Sequence, residues 1–401
     1  MSLRAIIEQE IRERGPIPFS RYMELCLYDE EFGYYSRTAE QFGKAGDFYT
    51  SSDVHAVFGR LMARQFEDMW RALDRPVKLT VRELGPGRGL FAQDVLDRSA
   101  KTFPEFFQAV HYVLVERSPS LGRRIETTLA RYLERGKASL WTSTQTPGAK
   151  ALKSPNSCGT TEVMSFPQPS VPSHLEGEPF PEIVFANEFF DALPVEILSS
   201  QGSLAIDLRD GRFSEVWVPA SPEELEYLDR YSVHPEAGER LEVSLAAQTF
   251  MMDALNFQRG FAVVIDYGFT REEQLAGRHR GTLKAIRRHS VSPSPYEAPG
   301  EQDITADVNF TALAAAAGRR GFQAQKLITQ SQFLMGIGEI NQFADAFEDC
   351  GLPQERTKVA LQLKHLVTPA GMGEGFHVLV ASKGVEQQRT TALSGLSFGR
   401  K

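Results

Sequence analysis

The chain has 401 residues, 42% hydrophobic and 24% charged, which exceeds one ordinary core and calls for one large domain with insertions or for two domains. Its formal net charge of -8 argues against a broad phosphate-binding surface and so against bulk nucleic-acid binding, and no apolar run approaches the roughly 18 residues of a membrane span. Cys26, Cys158 and Cys350 form no CxxC pair and the eight histidines show no HxxxH spacing beside a carboxylate, so neither disulfides nor a metal are expected and a reducing compartment fits.

Helical periodicity opens the chain with Leu3, Ile6, Ile7 and Ile11 and stops at "GPIP", where Gly15, Pro16 and Pro18 cannot continue a helix. Glu8, Glu10 and Glu13 in this stretch are foreign to secretory and mitochondrial leaders, and the chain as written reads as cytoplasmic. A second helix runs through "FSRYMELCLYD". A glycine- and aromatic-rich loop then leads into a strongly amphipathic helix with Val54, Phe58, Leu61, Met62, Phe66, Met69, Trp70 and Leu73 on one face, N-capped by Ser51 or Ser52.

From residue 77 the pattern changes to short apolar runs alternating with helices: "VKLTVREL", "HYVLVE", "EIVFANEF" and "FAVVIDYG". Such runs are what buried parallel strands look like, and their alternation with helices makes the fold class α/β, with helices on both faces of a parallel sheet. Residues 143–180 are rich in Ser, Thr, Pro and Gly without periodicity and read as a surface insertion. A second insertion, 199–258, begins with a hairpin turning at Asp210-Gly211 and ends in a helix over 241–260. The basic stretch "RHRGTLKAIRRHS" reads as a solvated face or a dock for an acidic partner. The tail 386–401 has few apolar anchors and is expected to be disordered.

The stretch "VRELGPGRGLF" places Gly85, Gly87 and Gly89 between a strand and a helix. That turn presents free backbone N–H groups and the positive end of a helix dipole, and glycine lets a ligand approach without meeting a Cβ. A dinucleotide site wants GxGxxG or GxGxxA, whereas the third position here is Leu90, and a phosphate loop would need GK followed by Ser or Thr. Glu83 beside a pyrophosphate would force like charges together. A cationic, phosphate-free ligand suits it better, and S-adenosylmethionine is one: Glu83 would hold its ammonium and Glu116, ending the second strand, its ribose hydroxyls.

The third strand runs into "FANEFFDALPVE", which puts Asn187, Glu188 and Asp191 at its carboxyl end, where open parallel sheets bind ligands. Paired acids suit the planar fork of a guanidinium, so an arginine acceptor is indicated. Two alternatives stay open: Asp191 as a helix cap with Glu188 paired to a surface Arg, and an NPPY-like amide-methylating loop lacking its prolines. Asp266, Tyr267 and Gly268 end the fourth strand and would line the acceptor pocket, although Asp266 fits a strand-end cap equally well.

Taken together, "GPIPFSRYMELCLYDEEFGYY", "FGKAGDFYTSSDVHAVFG", "ELGPGRG", "ANEFFDALPVE", "VVIDYG", "GEQDITADVNF" and "GMGEGFHVLVASKG" closely resemble the MidA-like family of S-adenosylmethionine-dependent methyltransferases, whose mitochondrial members are complex I assembly factors. The resemblance spans about residues 3–384, interrupted near 143–180. It implies a Rossmann-like, seven-stranded methyltransferase sheet over 77–385, an N-terminal helical cap over 1–76, and protein arginine N-methylation. A respiratory NADH dehydrogenase (complex I) subunit is the implied mitochondrial substrate; a homodimer stays open. Carried onto this chain, Gly85, Gly87 and Gly89 form the cofactor loop, Glu116 binds ribose, Gly46, Asp47, Thr50 and Ser51 contact the cofactor from the cap, and Asp303, Thr305 and Asp307 lie near the acceptor. The chain departs from the family in reading "YTSSD" where relatives read "ITSPE". Competing readings are an assembly chaperone that binds the cofactor without needing catalysis and a methyltransferase of small amines, amides or nucleobases.

Overall fold

The computed structural model describes residues 2–37, 56–142, 180–288, 290–348 and 350–399. Gly46, Asp47, Thr50, both proposed N-cap serines and all but the last residue of the 143–180 insertion lie outside them.

The central sheet has a seven-strand path. Its members are β1 (Leu79–Leu84), β2 (Val110–Val115), β3 (Ala138–Trp141), β4 (Glu182–Asn187), β5 (Gly260–Phe269), β6 (Gln323–Ala324) and β7 (Phe376–Lys383), in the spatial order β6-β7-β5-β4-β1-β2-β3. The four apolar runs of the sequence are β1, β2, β4 and β5, and these pair in parallel. The expectation of a wholly parallel sheet is corrected: β7 runs antiparallel to both β5 and β6, which makes the sheet mixed. Two short strands, Val308–Asn309 and Ile328–Thr329, add to its path on β5 and β7.

Strand alternation sends each apolar set to one of two cores. Val81, Tyr112, Phe185 and Val263 meet helix Ala56–Ala72 and helix Leu90–Thr102 on one face, while Leu84, Ala186 and Val264 meet helices Leu245–Ala254 and Phe310–Arg319 on the other. The helix Ala56–Ala72 therefore packs within the sheet domain. The two N-terminal helices, Leu3–Arg14 and Phe19–Tyr28, instead share a core with Val195 and Ile197 just before the second insertion, with Leu204 and Ile206 inside it and with Ile304. They join it through a strand, too, since Ile17–Pro18 pairs with Ala205 and Ile206 at the edge of an antiparallel sheet built from that insertion.

The hairpin turns where expected, with Asp210 at φ 48° and Gly211 at φ 69°, both in the left-handed region that two-residue hairpins favour. Two expectations are overturned. Residues Leu241–Val243 form a strand on Glu196–Ser199, so the helix of that insertion starts only at Leu245, where Ser244 caps it. The tail is ordered through its described residues, 386–399: Leu393 and Leu396 are buried against the main core, and Gln65 Oε1 accepts from Ser394 Oγ at 3.2 Å and Gly395 N–H at 2.8 Å. Among the described residues no helix is long and apolar enough to cross a membrane.

Candidate functional site

Strands β2 and β3 lie to one side of β1, and β4 and β5 to the other, so the order reverses between β1 and β4. Loops leaving the carboxyl ends of two such strands diverge and open a crevice. The glycine loop leaves β1 there and the Asn187–Asp191 segment leaves β4.

All three glycines have positive φ: 64° at Gly85, 55° at Gly87 and 75° at Gly89. Their surroundings differ. A Cβ on Gly89, the N-cap of helix Leu90–Thr102, would press on Ile125 and Leu129 at 3.4 Å, whereas one on Gly85 would lie 2.7 Å from Cδ2 of Phe189. At Gly87 a Cβ would meet nothing within 4 Å among the described residues. Gly85 is thus held to glycine by Phe189 packed against it and Gly89 by its left-handed φ, while Gly87 faces open space among the described residues, the cradle that close approach of a ligand to the backbone requires.

Glu83, two residues before Gly85, is buried, and Tyr112 Oη–H donates to its Oε2 at 2.9 Å. Burial pushes its pKa up to about 8, the Tyr112 bond pulling the other way and the Glu116 charge adding to the rise. Glu116 follows β2, accepts Ser118 N–H at 2.8 Å, and is pushed up to about 7 by burial against backbone bonds from Ser118, Arg117 and Gly87. Two carboxyls held close to neutrality at the mouth of a glycine loop suit a ligand that brings positive charge to one and hydroxyl donors to the other.

Aromatic residues of the N-terminal region cover this end of β2. Tyr28 and Tyr35 pack at 5.5 Å, Arg117 lies over the Tyr28 ring at 5.4 Å, and Ser118 Oγ donates to Tyr35 O at 3.1 Å. The same pair reaches the acceptor side: Tyr28 Oη–H donates to Ala192 O at 2.9 Å, and Tyr35 Oη–H to Asp303 Oδ1 at 2.9 Å.

On that side Asn187 ends β4 and its Nδ2 donates to Glu188 Oε1 at 3.1 Å. Glu188 sits at φ 50°, a left-handed backbone that non-glycine residues rarely adopt. Asp191 is buried in the 3₁₀ turn Phe190–Ala192; burial first, then the charges of Asp266, Asp303 and Glu188, raises its pKa well above the usual carboxylate range. Ala306 N–H donates to Asp191 O at 2.9 Å, which brings the "DITAD" strand Asp303–Thr305 beside it. The structure therefore gathers Glu188, Asp191, Asp266 and Asp303 into one carboxylate group. Asp307 stands further out, with Asp307 Oδ2 3.1 Å from His279 Nδ1 and Oδ1 3.5 Å from Lys284 Nζ.

Asp266 is fully buried and accepts backbone N–H groups of the 189–191 segment, a different use from lining the acceptor pocket. Tyr112, Phe189, Tyr28 and Tyr35 were not singled out in the sequence, where an aromatic inside an apolar run looks like any core residue. The basic stretch 278–290 is neutralised by local pairs, Arg278 with Glu273 at 3.3 Å, Arg280 with Glu239 at 2.7 Å and Arg287 with Glu301, which leaves little net charge for an acidic partner.

Comparison with known proteins agrees with this geometry. Residues 61–328 match the family described as "putative S-adenosyl-L-methionine-dependent methyltransferase". The chain is 28% identical over 407 residues to the Drosophila melanogaster protein arginine methyltransferase NDUFAF7 homolog, mitochondrial, covering 96% of this chain and 85% of that one. It is 27% identical over 385 residues to the Homo sapiens protein arginine methyltransferase NDUFAF7, mitochondrial, covering 92% and 80%. A Burkholderia thailandensis protein crystallised with S-adenosyl-homocysteine superposes with a TM-score of 0.77 at 28% identity, over 99% of this chain and 94% of that one.

Proposed function

The chain belongs to this family of S-adenosyl-L-methionine-dependent methyltransferases, and from that premise we propose that it methylates an arginine side chain of a partner protein. The observation that carries the proposal is the convergence of Glu188, Asp191 and Asp303 beside the glycine loop, with the hydroxyls of Tyr28 and Tyr35 bonded to Ala192 O and Asp303 at its edge. Carboxylates and aromatic faces together recognise a planar cation, and a guanidinium presents its N–H groups in a fork that carboxylates bind in pairs. The names of the Drosophila and human relatives support the same acceptor. A respiratory NADH dehydrogenase subunit is the partner we propose, on the motifs of the resemblance.

The cofactor, when bound, supplies an electrophilic methyl group. We assign the peptide N–H groups of the Gly85–Gly89 loop and Glu83 to its amino-acid end and Glu116 to its ribose hydroxyls; Gly46, Asp47, Thr50 and Ser51 complete the cofactor contacts in this proposal. Asp191 and Asp303 orient the acceptor fork, and Glu188, half-buried and steadied by Asn187, takes up the proton that leaves the acceptor nitrogen as its bond to carbon forms. Exclusion of water by Tyr28 and Tyr35 strengthens each of these interactions.

The test is transfer of tritiated methyl from S-adenosylmethionine into total soluble protein of the encoding organism, followed by hydrolysis and mass spectrometry of the labelled amino acid. Methylarginine is expected. Label confined to lysine or to small molecules, or no label at saturating cofactor, rejects the arginine assignment.

A further inference from the structure

Asp266 ends the inner part of β5 on the face that carries Val264, and none of its side chain reaches solvent. Its Oδ2 accepts three consecutive amides, Phe189 N–H at 3.1 Å, Phe190 N–H at 2.8 Å and Asp191 N–H at 3.3 Å. Its Oδ1 accepts its neighbour Tyr267 N–H at 2.9 Å. Both oxygens are thus engaged by backbone amides, three of them on Oδ2 alone, and the side chain is committed chiefly to its own backbone.

The three amides open the turn Phe190–Ala192, and the first N–H groups of a helical turn have no partner inside it. Asp266 thus acts as a cap supplied by a neighbouring strand. Immediately before these amides stands Glu188 at φ 50°, and a residue so strained, at about 1–3 kcal/mol, persists only where its surroundings over-determine it. Here they do: Glu188 N–H is tied to Ile265 O at 2.9 Å on one side and the next three amides are tied to Asp266 on the other. Between them, Phe189 rests its ring on Phe190 and Phe250, with centroids at 5.3 and 4.9 Å, and over Gly85, where no Cβ could stand.

We infer that Asp266 is a positioning residue for methyl transfer: by holding the amides of residues 189–191 it fixes Glu188 and Asp191 in register with the glycine loop, with Phe189 seated on Gly85 as the spacer between acceptor and donor loops. The inference rests on the assignment of Glu188 and Asp191 to the acceptor. It favours the strand-end cap over the expectation that Asp266 lines the acceptor pocket, and it explains why Gly85 should be glycine even where no ligand approaches. Misplacing a reacting group by about 1 Å costs on the order of a hundredfold, so the alignment is worth holding this firmly.

The experiment compares Asp266→Asn with Asp266→Ala in the full chain, using tritiated methyl transfer to the acceptor protein labelled by the wild type, together with hydrogen exchange of the 187–193 segment. Asparagine keeps one oxygen for the three amides. It should retain at least about a tenth of wild-type kcat with an unchanged pH profile, whereas alanine should lose about a hundredfold or more and expose the three amides to exchange. Loss of activity in Asp266→Asn as large as in Asp266→Ala, or a displaced pH profile in Asp266→Asn, overturns the inference in favour of a chemical role. If alanine does not fold, the retained kcat, pH profile and protection of Asp266→Asn decide alone. Failure of the arginine assignment is distinguishable, because it leaves the wild type without methylarginine product while the exchange measurement still reads Asp266.

Discussion

Tyr112, in the middle of β2, donates its hydroxyl hydrogen to Glu83 Oε2 at 2.9 Å in the buried floor below the glycine loop. The bond holds the carboxyl in place but does not overcome its burial, and Glu83 stays largely protonated at pH 7 with a pKa of about 8. A cationic ligand would favour the carboxylate and expel that proton. Calorimetric titration with S-adenosylmethionine at pH 7 in two buffers of different ionisation enthalpy should therefore reveal release of between about half and one proton per site, falling to none near pH 9.5. Identical heats in both buffers would falsify a protonated Glu83.

The same carboxyls make the ligand-free protein sensitive to pH. Glu83 is raised to about 8 and Glu116 to about 7, so between the ordinary carboxyl range and those values the unfolded chain has lost protons that the folded chain keeps. The unfolded state then binds fewer protons and stability falls as pH rises from about 5 to about 8. Glu83→Gln should raise the thermal midpoint at pH 8 by at least about 2 °C while weakening cofactor binding. Differential scanning calorimetry at pH 6 and pH 8 checks it, and a midpoint for Glu83→Gln below wild type at pH 8 would count against this reading.

Gly87 separates fold from binding. Its φ of 55° makes valine cost about 1–2 kcal/mol of strain, but among the described residues no atom lies within 4 Å of the new Cβ. Gly87→Val should remain folded by circular dichroism and lose cofactor affinity by at least about a hundredfold, roughly 2.7 kcal/mol of binding. Affinity within threefold of wild type would move the cofactor away from this loop.

Glu188 carries backbone strain of the kind that gathers at functional sites. Glu188→Gly relieves it and should be at least as stable as wild type to urea, while Glu188→Ala keeps the cofactor affinity; both should lose methyl transfer by about two orders of magnitude or more. Full activity in Glu188→Ala would remove this residue from the mechanism.

Leu393 is 3% exposed in a tail whose composition suggests nothing of the kind. Leu393→Ala should cost about 2–5 kcal/mol in chemical denaturation, with no change in the Michaelis constant for the cofactor. A cost under 0.5 kcal/mol would return the tail to the disordered class.

The positions of Gly85, Gly87, Gly89, Glu83 and Glu116 were legible because a strand-to-helix turn converts residue type directly into location. Asp266 was legible only as a strand-end acid. Whether such a group faces a ligand or its own backbone depends on strand parity and on a loop 75 residues away in sequence, and an apolar run ending in Asp looks the same in both cases. Phe189 was hidden for a similar reason: the glycine it sits on advertises a cofactor, and nothing in the local sequence says that a phenylalanine from another loop claims the same space. The antiparallel β7 was missed because "FHVLVASK" is as apolar as a parallel strand, and its direction is set by the connection preceding it. At the tail, Leu393 and Leu396 are two isolated side chains, and the core that buries them is assembled from helix Gln330–Glu339 and from helix Ala56–Ala72, more than 300 residues earlier.

The edge pairing of Ile17–Pro18 with Ala205 and Ile206 has a consequence for how the chain is made. A nascent polypeptide emerging from the ribosome presents Leu3, Ile7, Phe19 and Tyr22 long before Val195 to Ile206 and Ile304, the residues that bury them, have been synthesised. At about 5–20 residues per second that leaves these greasy helices unpartnered for roughly 15–60 s, a window in which a chaperone has something to hold. The roof over the methyl-transfer crevice is therefore translated well ahead of the residues that seat it and is among the last parts to be laid.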